Sequence, residues 1–328
     1  MKSILSLLFF AFFSIHINYS QTPINLTTLN EENLNGSIKT LYHSDINYNT
    51  LSNGNVFKQN ITVEIKFNQN NQPQELKRFD KNGKLAGFKK FEYNKNGNII
   101  SESSFNNDST IYSEIKYSYN IQNKQTEKHT YDKEGELKNM IKQNYDDTGN
   151  NIEVISYDKK MEVERKTVYK YDKDNRLVEH LNYNKFGKSI LKRLLTYNVN
   201  GLFAEEKRFL QGNYKNKVLF TYNDNSDLIK KKYYSNTGDL KDNYTYEYNS
   251  NRQKTTFSEL DVNNKTIIQR VYNYDTRGNL IEVIYRNSDN IITGKRTLKY
   301  DDFGNWVEII EYSDNKVKNK RSRKFQYY

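Results

Sequence analysis

The chain has 328 residues, of which 35% are hydrophobic and 28% charged, and a formal net charge of +11. Such polarity belongs to disordered chains, but 28 Tyr and 17 Phe do not, so aromatic rings must supply most of the buried area. The absence of Cys excludes disulfides, a lipidated Cys and thiolate metal sites, and the positive excess, spread over a large surface, reads as solubilising rather than as a nucleic-acid footprint.

In chain order, Lys2 precedes an apolar run over residues 4–13, and Ser20 followed by Gln21 offers a cleavage point. This predicts a signal peptide over residues 1–20 and a secreted or periplasmic protein; the run is too short for a membrane span. Residues 21–55 are rich in Asn and Thr without a regular pattern and read as a lead-in or cap. A degenerate repeat starts near Leu41 and Tyr42, with Asn53-Gly54 as its turn.

From residue 56 to the end the period is plain. Phe67, Tyr93, Tyr119, Tyr145, Tyr171 and Tyr197 recur at steps of 26, and Tyr222, Tyr248, Tyr274 and Tyr300 continue after one step of 25. Asn or Asp follows each of these ten aromatics. Their short side chains bond the backbone of a turn. Three residues later stands Gly97, Gly149, Gly201, Gly278 or Gly304, or Asn71, Asn123 or Asn175, as a positive φ requires. Asp275, Gly278, Asp301 and Gly304 are thus turn-forming. Ser226 and Arg252 break the rule, which predicts two distorted turns.

Twelve residues after the first aromatic there is usually a second, as at Phe79, Phe105, Tyr131, Tyr183 and Tyr312, often with its own Gly turn. Each unit is then two strands and two short turns. Short turns join only antiparallel neighbours, so the fold class is all-β: a long antiparallel meander of about twenty strands in a curved or coiled sheet. Strict alternation puts the first aromatics, Leu177, Leu181 and Tyr183, and Trp306, Ile310 and Tyr312 on one aromatic face. A Glu eight residues after the first aromatic, in seven of the ten copies, falls by the same parity on that face. It reads as structural, accepting from Tyr hydroxyls or pairing with Lys; catalysis would need one differentiated acid pair, which a repeated position does not provide. Lys316, Lys318, Lys320, Arg321, Arg323 and Lys324 read as protection of a terminal edge strand.

His43, His129 and His180 share no metal-like spacing, and no phosphate loop or catalytic triad context is recognisable. No enzyme, metal or cofactor is expected. The motifs Tyr274-Asp275-Thr-Arg-Gly278-Asn279-Leu280 and Tyr300-Asp301-Asp-Phe-Gly304-Asn305-Trp306 resemble the YD repeats of the RHS family over nearly everything from residue 56 onward. A weaker similarity runs to MORN-like repeats, whose turns match Asn82-Gly83-Lys84 although the period differs. The RHS resemblance implies a long sheet of hairpins with roles in carbohydrate or cell-surface contact, or as a shell around a toxin in large members. No toxin segment is recognisable here, so surface or sugar binding is the role carried over.

The expected function is an exported, monomeric, non-enzymatic protein that binds a polysaccharide or another envelope component, with Trp306, Tyr300, Tyr312 and Tyr274 as the candidate ligand surface. The alternative is a protein-interaction or assembly scaffold, such as a partner of an RHS-type toxin system.

Overall fold

The computed structural model describes residues 34–47 and 62–328. The signal peptide and the Asn53-Gly54 turn lie outside the described residues. Asn35–Tyr328 forms one compact unit containing 22 strands. They are β1 (Ile38–Asn47), β2 (Val63–Phe67), β3 (Pro73–Phe79), β4 (Leu85–Tyr93), β5 (Ile99–Asn106), β6 (Ile111–Tyr119), β7 (Gln125–Tyr131) and β8 (Leu137–Tyr145). The series continues with β9 (Asn151–Asp158), β10 (Val163–Tyr171), β11 (Leu177–Asn184), β12 (Ser189–Tyr197), β13 (Phe203–Leu210), β14 (Asn213–Tyr222) and β15 (Leu228–Ser235). It ends with β16 (Leu240–Tyr248), β17 (Lys254–Leu260), β18 (Thr266–Tyr274), β19 (Leu280–Arg286), β20 (Ile292–Tyr300), β21 (Trp306–Ser313) and β22 (Lys316–Tyr327).

Every strand pairs antiparallel with its sequence neighbours, and β1 pairs with both β2 and β22. The meander therefore closes into a barrel. Closure removes both edges, so the expected edge-strand role of the C-terminal basic run is corrected: β22 is paired on each side, Lys320 bonds Glu308 (2.7 Å), and Arg321 reaches Glu311 (3.2 Å). β1 also lies within the stretch read as a lead-in, so the ring begins at Ile38 rather than at residue 56.

The first turn of each unit is a five-residue loop set by its Asn or Asp. In the copy at Asp275, Oδ1 accepts from the amides of Arg277 (2.9 Å) and Asn279 (2.8 Å), and the Gly278 amide donates to the Asp275 carbonyl (3.0 Å) with φ at +87°. Asp301 and Gly304 repeat it. Ser226 (φ 63°) and Arg252 (φ 61°) adopt the same left-handed conformation and make the same backbone bonds. The expected distortion is absent, because the ladder on each side and the Asx bonds fix the turn and the chain bears the strain. The single 25-residue step has a local cause: Gln211 and Gly212, both at positive φ, make a two-residue turn, as Asp314 and Asn315 do in the last copy, where the copies between β3 and β20 otherwise use the longer loop.

A β-bulge follows each first turn. Tyr93 pairs with Ile99, but Glu92 pairs with Ser101 and Phe91 with Glu102, so one residue of β5 is extra. Directly opposed residues share a face, and the bulge therefore inverts the parity of everything after it. Two readings from strict alternation are corrected. The repeated Glu lies on the face opposite the first aromatics, and Trp306 and Tyr312 lie on opposite faces. The repeated Glu pairs with cations and amides of adjacent strands: Lys299 with Glu308 (2.8 Å), Lys170 with Glu179 (3.5 Å), and Asn144 with Glu153 (2.7 Å).

The face bearing the first aromatics is the inner one. Side chains converge there, as shown by buried Leu76, Phe91, Leu195, Val218, Val283 and Ile309. Cations show the contrast: the Arg193 side chain on this face is 19% exposed, whereas Lys299 on the other is 73% exposed. A round ring of 22 strands spaced ~4.8 Å apart is about 34 Å across, too wide for side chains to fill.

The first-turn tyrosines lock this rim. Tyr93, Tyr119, Tyr145, Tyr171, Tyr197, Tyr222, Tyr248, Tyr274 and Tyr300 each donate from the hydroxyl to a carbonyl on the preceding strand, at 2.6–3.0 Å. The bond falls beyond the last ladder pair; between β3 and β4, that pair is Glu75 with Lys90, and Tyr93 reaches Pro73. A phenol hydroxyl supplies the donor that the ladder no longer provides, which is why the repeat uses Tyr.

Candidate functional site

The register brings together, on the inner face, residues from several different positions of the repeat, two and four before the first aromatic and nine and eleven after it. Opposed pairs Phe220 with Lys231, Lys231 with Tyr244, Tyr246 with Phe257, Phe257 with Arg270, and Arg270 with Tyr285 place them side by side. The result is a strip of rings running from β12 to β19.

Tyr197 meets Phe203 at 5.8 Å between ring centroids, and Phe203 meets Phe220 at 4.7 Å. The Lys231 ammonium lies 5.7 Å from the centre of Phe220 and 4.7 Å from that of Tyr233. Tyr233 contacts Tyr244 edge-on at 5.8 Å, and Tyr244 stacks on Phe257 at 5.6 Å with Tyr246 alongside. Arg270 spans Phe257 (5.1 Å) and Tyr285 (5.8 Å). The rings are half-buried, held by their neighbours with part of each surface open to the lumen.

At one end of the strip sits a charged cluster. Glu206 is 1% exposed and accepts through one oxygen from the Nε atoms of Arg193 (2.6 Å) and Arg208 (2.5 Å). Burial works against its charge, but the two guanidinium bonds prevail and hold the carboxyl below the usual range. His180, stacked on Tyr169 at 5.1 Å, is kept neutral by burial and by Arg193. Lys231 is 8% exposed; burial, reinforced by Arg208 and opposed by Glu206, brings its pKa down to about 8. Burial pushes Tyr233 and Tyr246 up to about 12, so these phenols are neutral donors at ordinary pH.

The four aromatic candidates do not form one surface. Tyr274 and Tyr300 are on the inner face, but their hydroxyls are spent on the carbonyls of Lys254 and Leu280 (both 2.8 Å). Tyr312 is on the outer face, 5.4 Å from the Lys295 ammonium. Trp306 is inward but covered: the Arg323 guanidinium lies 3.8 Å over its ring, and His43 meets it edge-on at 5.9 Å. Glu206, Lys231 and Phe257 escaped notice because the position nine residues after the first aromatic has no consistent residue type: it holds Leu76, Glu102, Lys128, His180, Glu206, Lys231 and Phe257.

No protein-family model matches the chain, and no curated protein does. Solved structures similar to it include TcdB2-TccC3-Cdc42, at 13% identity and a TM-score of 0.34, with 79% of this chain and 19% of that one covered. The Photorhabdus luminescens Tc holotoxin pore is similar at 11% identity and a TM-score of 0.31, over 83% of this chain and 20% of that one. A porin-like protein from Bacteroides uniformis ATCC 8492 is similar at 9% identity and a TM-score of 0.31, covering 89% and 99%. The chain thus spans about a fifth of the length of the Tc toxin components it matches.

Proposed function

We propose that the protein is an exported, non-catalytic ring that binds glycan, or a saccharide-bearing component of a cell envelope, on the inner aromatic strip. The observation that carries this reading is the run of half-open rings from Tyr197 to Tyr285, interleaved with Lys231 and Arg270. Ring faces stack on the apolar faces of sugars, while ammonium, guanidinium and phenol groups bond hydroxyls. The outer face suits water rather than lipid: its ion pairs, such as Lys170 with Glu179 and Lys299 with Glu308, would be costly against hydrocarbon. Among the described residues no helix is long and apolar enough to cross a membrane.

A glycan array and a pull-down on isolated cell wall test the reading, with Phe257→Ala and Tyr244→Ala as strip variants. Retention by the native protein, weakened by either change while melting stays cooperative, is the expected outcome. No retention on any glycan or wall preparation would sink it. The width of the ring, about 34 Å from strand to strand if it is round, favours a second reading, a scaffold that receives a polypeptide; one specific protein co-purifying from the native host, without polysaccharide, would establish that instead.

A further inference from the structure

The two rims of the ring are unlike. At the first-turn rim neighbouring loops bond one another: Gln72 to the Gly97 carbonyl (3.0 Å), Asn150 to Asn175 (3.0 Å) and Arg252 to Asp227 (2.7 Å). The opposite rim, made by the second turns, carries exposed apolar side chains on consecutive turns. Met161 stands between β9 and β10, Phe186 (81% exposed) between β11 and β12, and Leu210 at the end of β13. Successive second turns are two strands, ~10 Å, apart, so these side chains are neighbours rather than scattered singles. On the first-turn rim, Ile121 and Val199 are three turns apart.

We propose that the second-turn rim is where a second copy of this chain docks, rim to rim, about a twofold axis through the turn between β9 and β10. Charge selects both the partner and the register. Two strands to one side of that turn, the β11–β12 turn carries Lys185 and Lys188; two strands to the other side, the β7–β8 turn carries Asp132, Glu134 and Glu136 against Lys133 alone. Six strands out the contrast returns, with Asp239 in the turn after β15 and Lys81 and Lys84, against Asp80, in the turn after β3. Four strands out both sides are apolar: Leu210, with Lys215 on its hairpin, and Tyr112 (65% exposed), with Asp108 on its own.

A twofold axis lying in the rim turns the ring over and exchanges the two sides. Each basic turn then meets an acidic one, and Leu210 meets Tyr112. A surface whose charges are opposite on the two sides of one point is complementary to itself, which a lipid surface does not exploit. The size also suits: the fourteen strands from β3 to β16, ~4.8 Å apart and ~10 Å thick, offer about 670 Å² per copy, and the resulting total of about 1,300 Å² is within the range of specific dimers. Two rings joined in this way share one lumen of twice the length, so the working unit is a dimer rather than the monomer that the sequence suggests.

Light scattering and sedimentation of the native protein at micromolar concentrations should give the mass of two chains. Lys185→Glu with Lys188→Glu should raise the dissociation constant at least about tenfold, and adding Glu134→Lys and Glu136→Lys should restore it, because the exchanged charges again face each other. Leu210→Asp should weaken the dimer, and Ile121→Asp on the other rim should leave it unchanged. The chain has no Cys, so single thiols report the axis directly. Met161→Cys, on the axis, should be joined to its own copy by a short bis-maleimide, whereas Phe186→Cys, ~20 Å from its copy, should not.

A single-chain mass at every concentration overturns the proposal. So does a dimer that the charge reversal leaves intact, one that the fourfold exchange fails to restore, or cross-linking through Phe186→Cys in place of Met161→Cys. Flotation of single chains with phosphatidylcholine vesicles would give the apolar tips to a lipid surface instead. None of these outcomes bears on the glycan reading, which the strip variants test separately.

Discussion

The ring is held in two different ways, by nine near-identical tyrosine locks around its length and by one unique seam where β22 meets β1. Each lock is a single phenol–carbonyl bond beside an Asx turn, and the loss of one leaves its sisters in place. The seam has no sister. Asn305 bonds both the amide and the carbonyl of Asn35 (both 2.8 Å), Asn71 does the same for the Ile38 amide (2.8 Å) and the Gly36 carbonyl (2.7 Å), and Tyr327 donates to Asp301 (2.5 Å). Residues 35–38 thus sit between the first-turn loops at Asn68 and Asp301 and fill the place of a missing turn. Gly36 is required there, at φ +82° with the Tyr327 ring 2.9 Å from where a Cβ would stand. Repetition makes the wall tolerant, whereas closure rests on the one ladder of β1 with β22 and the side-chain bonds beside it, which join residues far apart in sequence.

The largest effect is therefore expected at the seam. Trp306→Ala removes the ring between Arg323 and His43 and should cost roughly 3 kcal/mol. Small-angle scattering should show an opened, longer particle before denaturation is complete. The same truncation at Phe105, whose ring stacks on Phe88 on the outer face, should leave the ring closed. Equal behaviour of the two variants would show that the seam is no more critical than the wall.

Acid sharpens the same contrast. Burial, with Arg323 and Arg321 nearby, lowers the His43 pKa to about 3. The folded protein then binds fewer protons than the unfolded chain between pH 6.5 and 3, so the stability from His43 is complete above 6.5 and falls with pH by up to about 1.4 kcal/mol per unit. Denaturant titrations should show that slope, and His43→Gln should flatten it. An unchanged slope in that variant would place the acid sensitivity elsewhere, for instance on the carboxylates.

The repeating wall was legible in the sequence because the turn chemistry is local. The Asn or Asp, the residue at positive φ, and the paired strands all follow from neighbours within a few positions. The faces were not legible, because the bulge adds one residue to a strand without leaving a mark in composition, and each later side chain then points the other way. Closure was hidden for a different reason: the pairing of Leu41 with Phe325 joins residues at the two ends of the array, and no local pattern signals it. The candidate strip depended on both, so Phe220 and Tyr246, two before their first aromatics, could be placed on one face beforehand, whereas Lys231, Tyr233 and Phe257, which come after a bulge, could not.

A single lock has a smaller expected effect than the seam. Tyr248→Phe removes the 3.0 Å bond to the Leu228 carbonyl, keeps the ring, and should cost about 1 kcal/mol without opening the barrel. Phe67 already shows that a unit folds without the hydroxyl, since it is buried in the same position. A loss as large as that of Trp306→Ala would mean that the locks act together rather than singly.

The smallest effect tests whether the wall's regularity overrides local preference. Ser226 is exposed and held at φ 63°, where a side chain costs about 1 kcal/mol that glycine does not incur, and the equivalent Gly278 makes the same turn bonds without that strain. Part of the gain is returned, because glycine leaves the unfolded chain more freedom. Ser226→Gly should therefore raise stability by somewhat less than about 1 kcal/mol. Arg252, at φ 61° in the next unit, is a poorer site for the same change, because its guanidinium bonds Asp227 at 2.7 and 2.9 Å and that contact would go with it. A melting temperature that rises for Ser226→Gly and stays level or falls for Arg252→Gly is the expected pair of outcomes; a fall in the first would mean that the Ser226 turn is not strained.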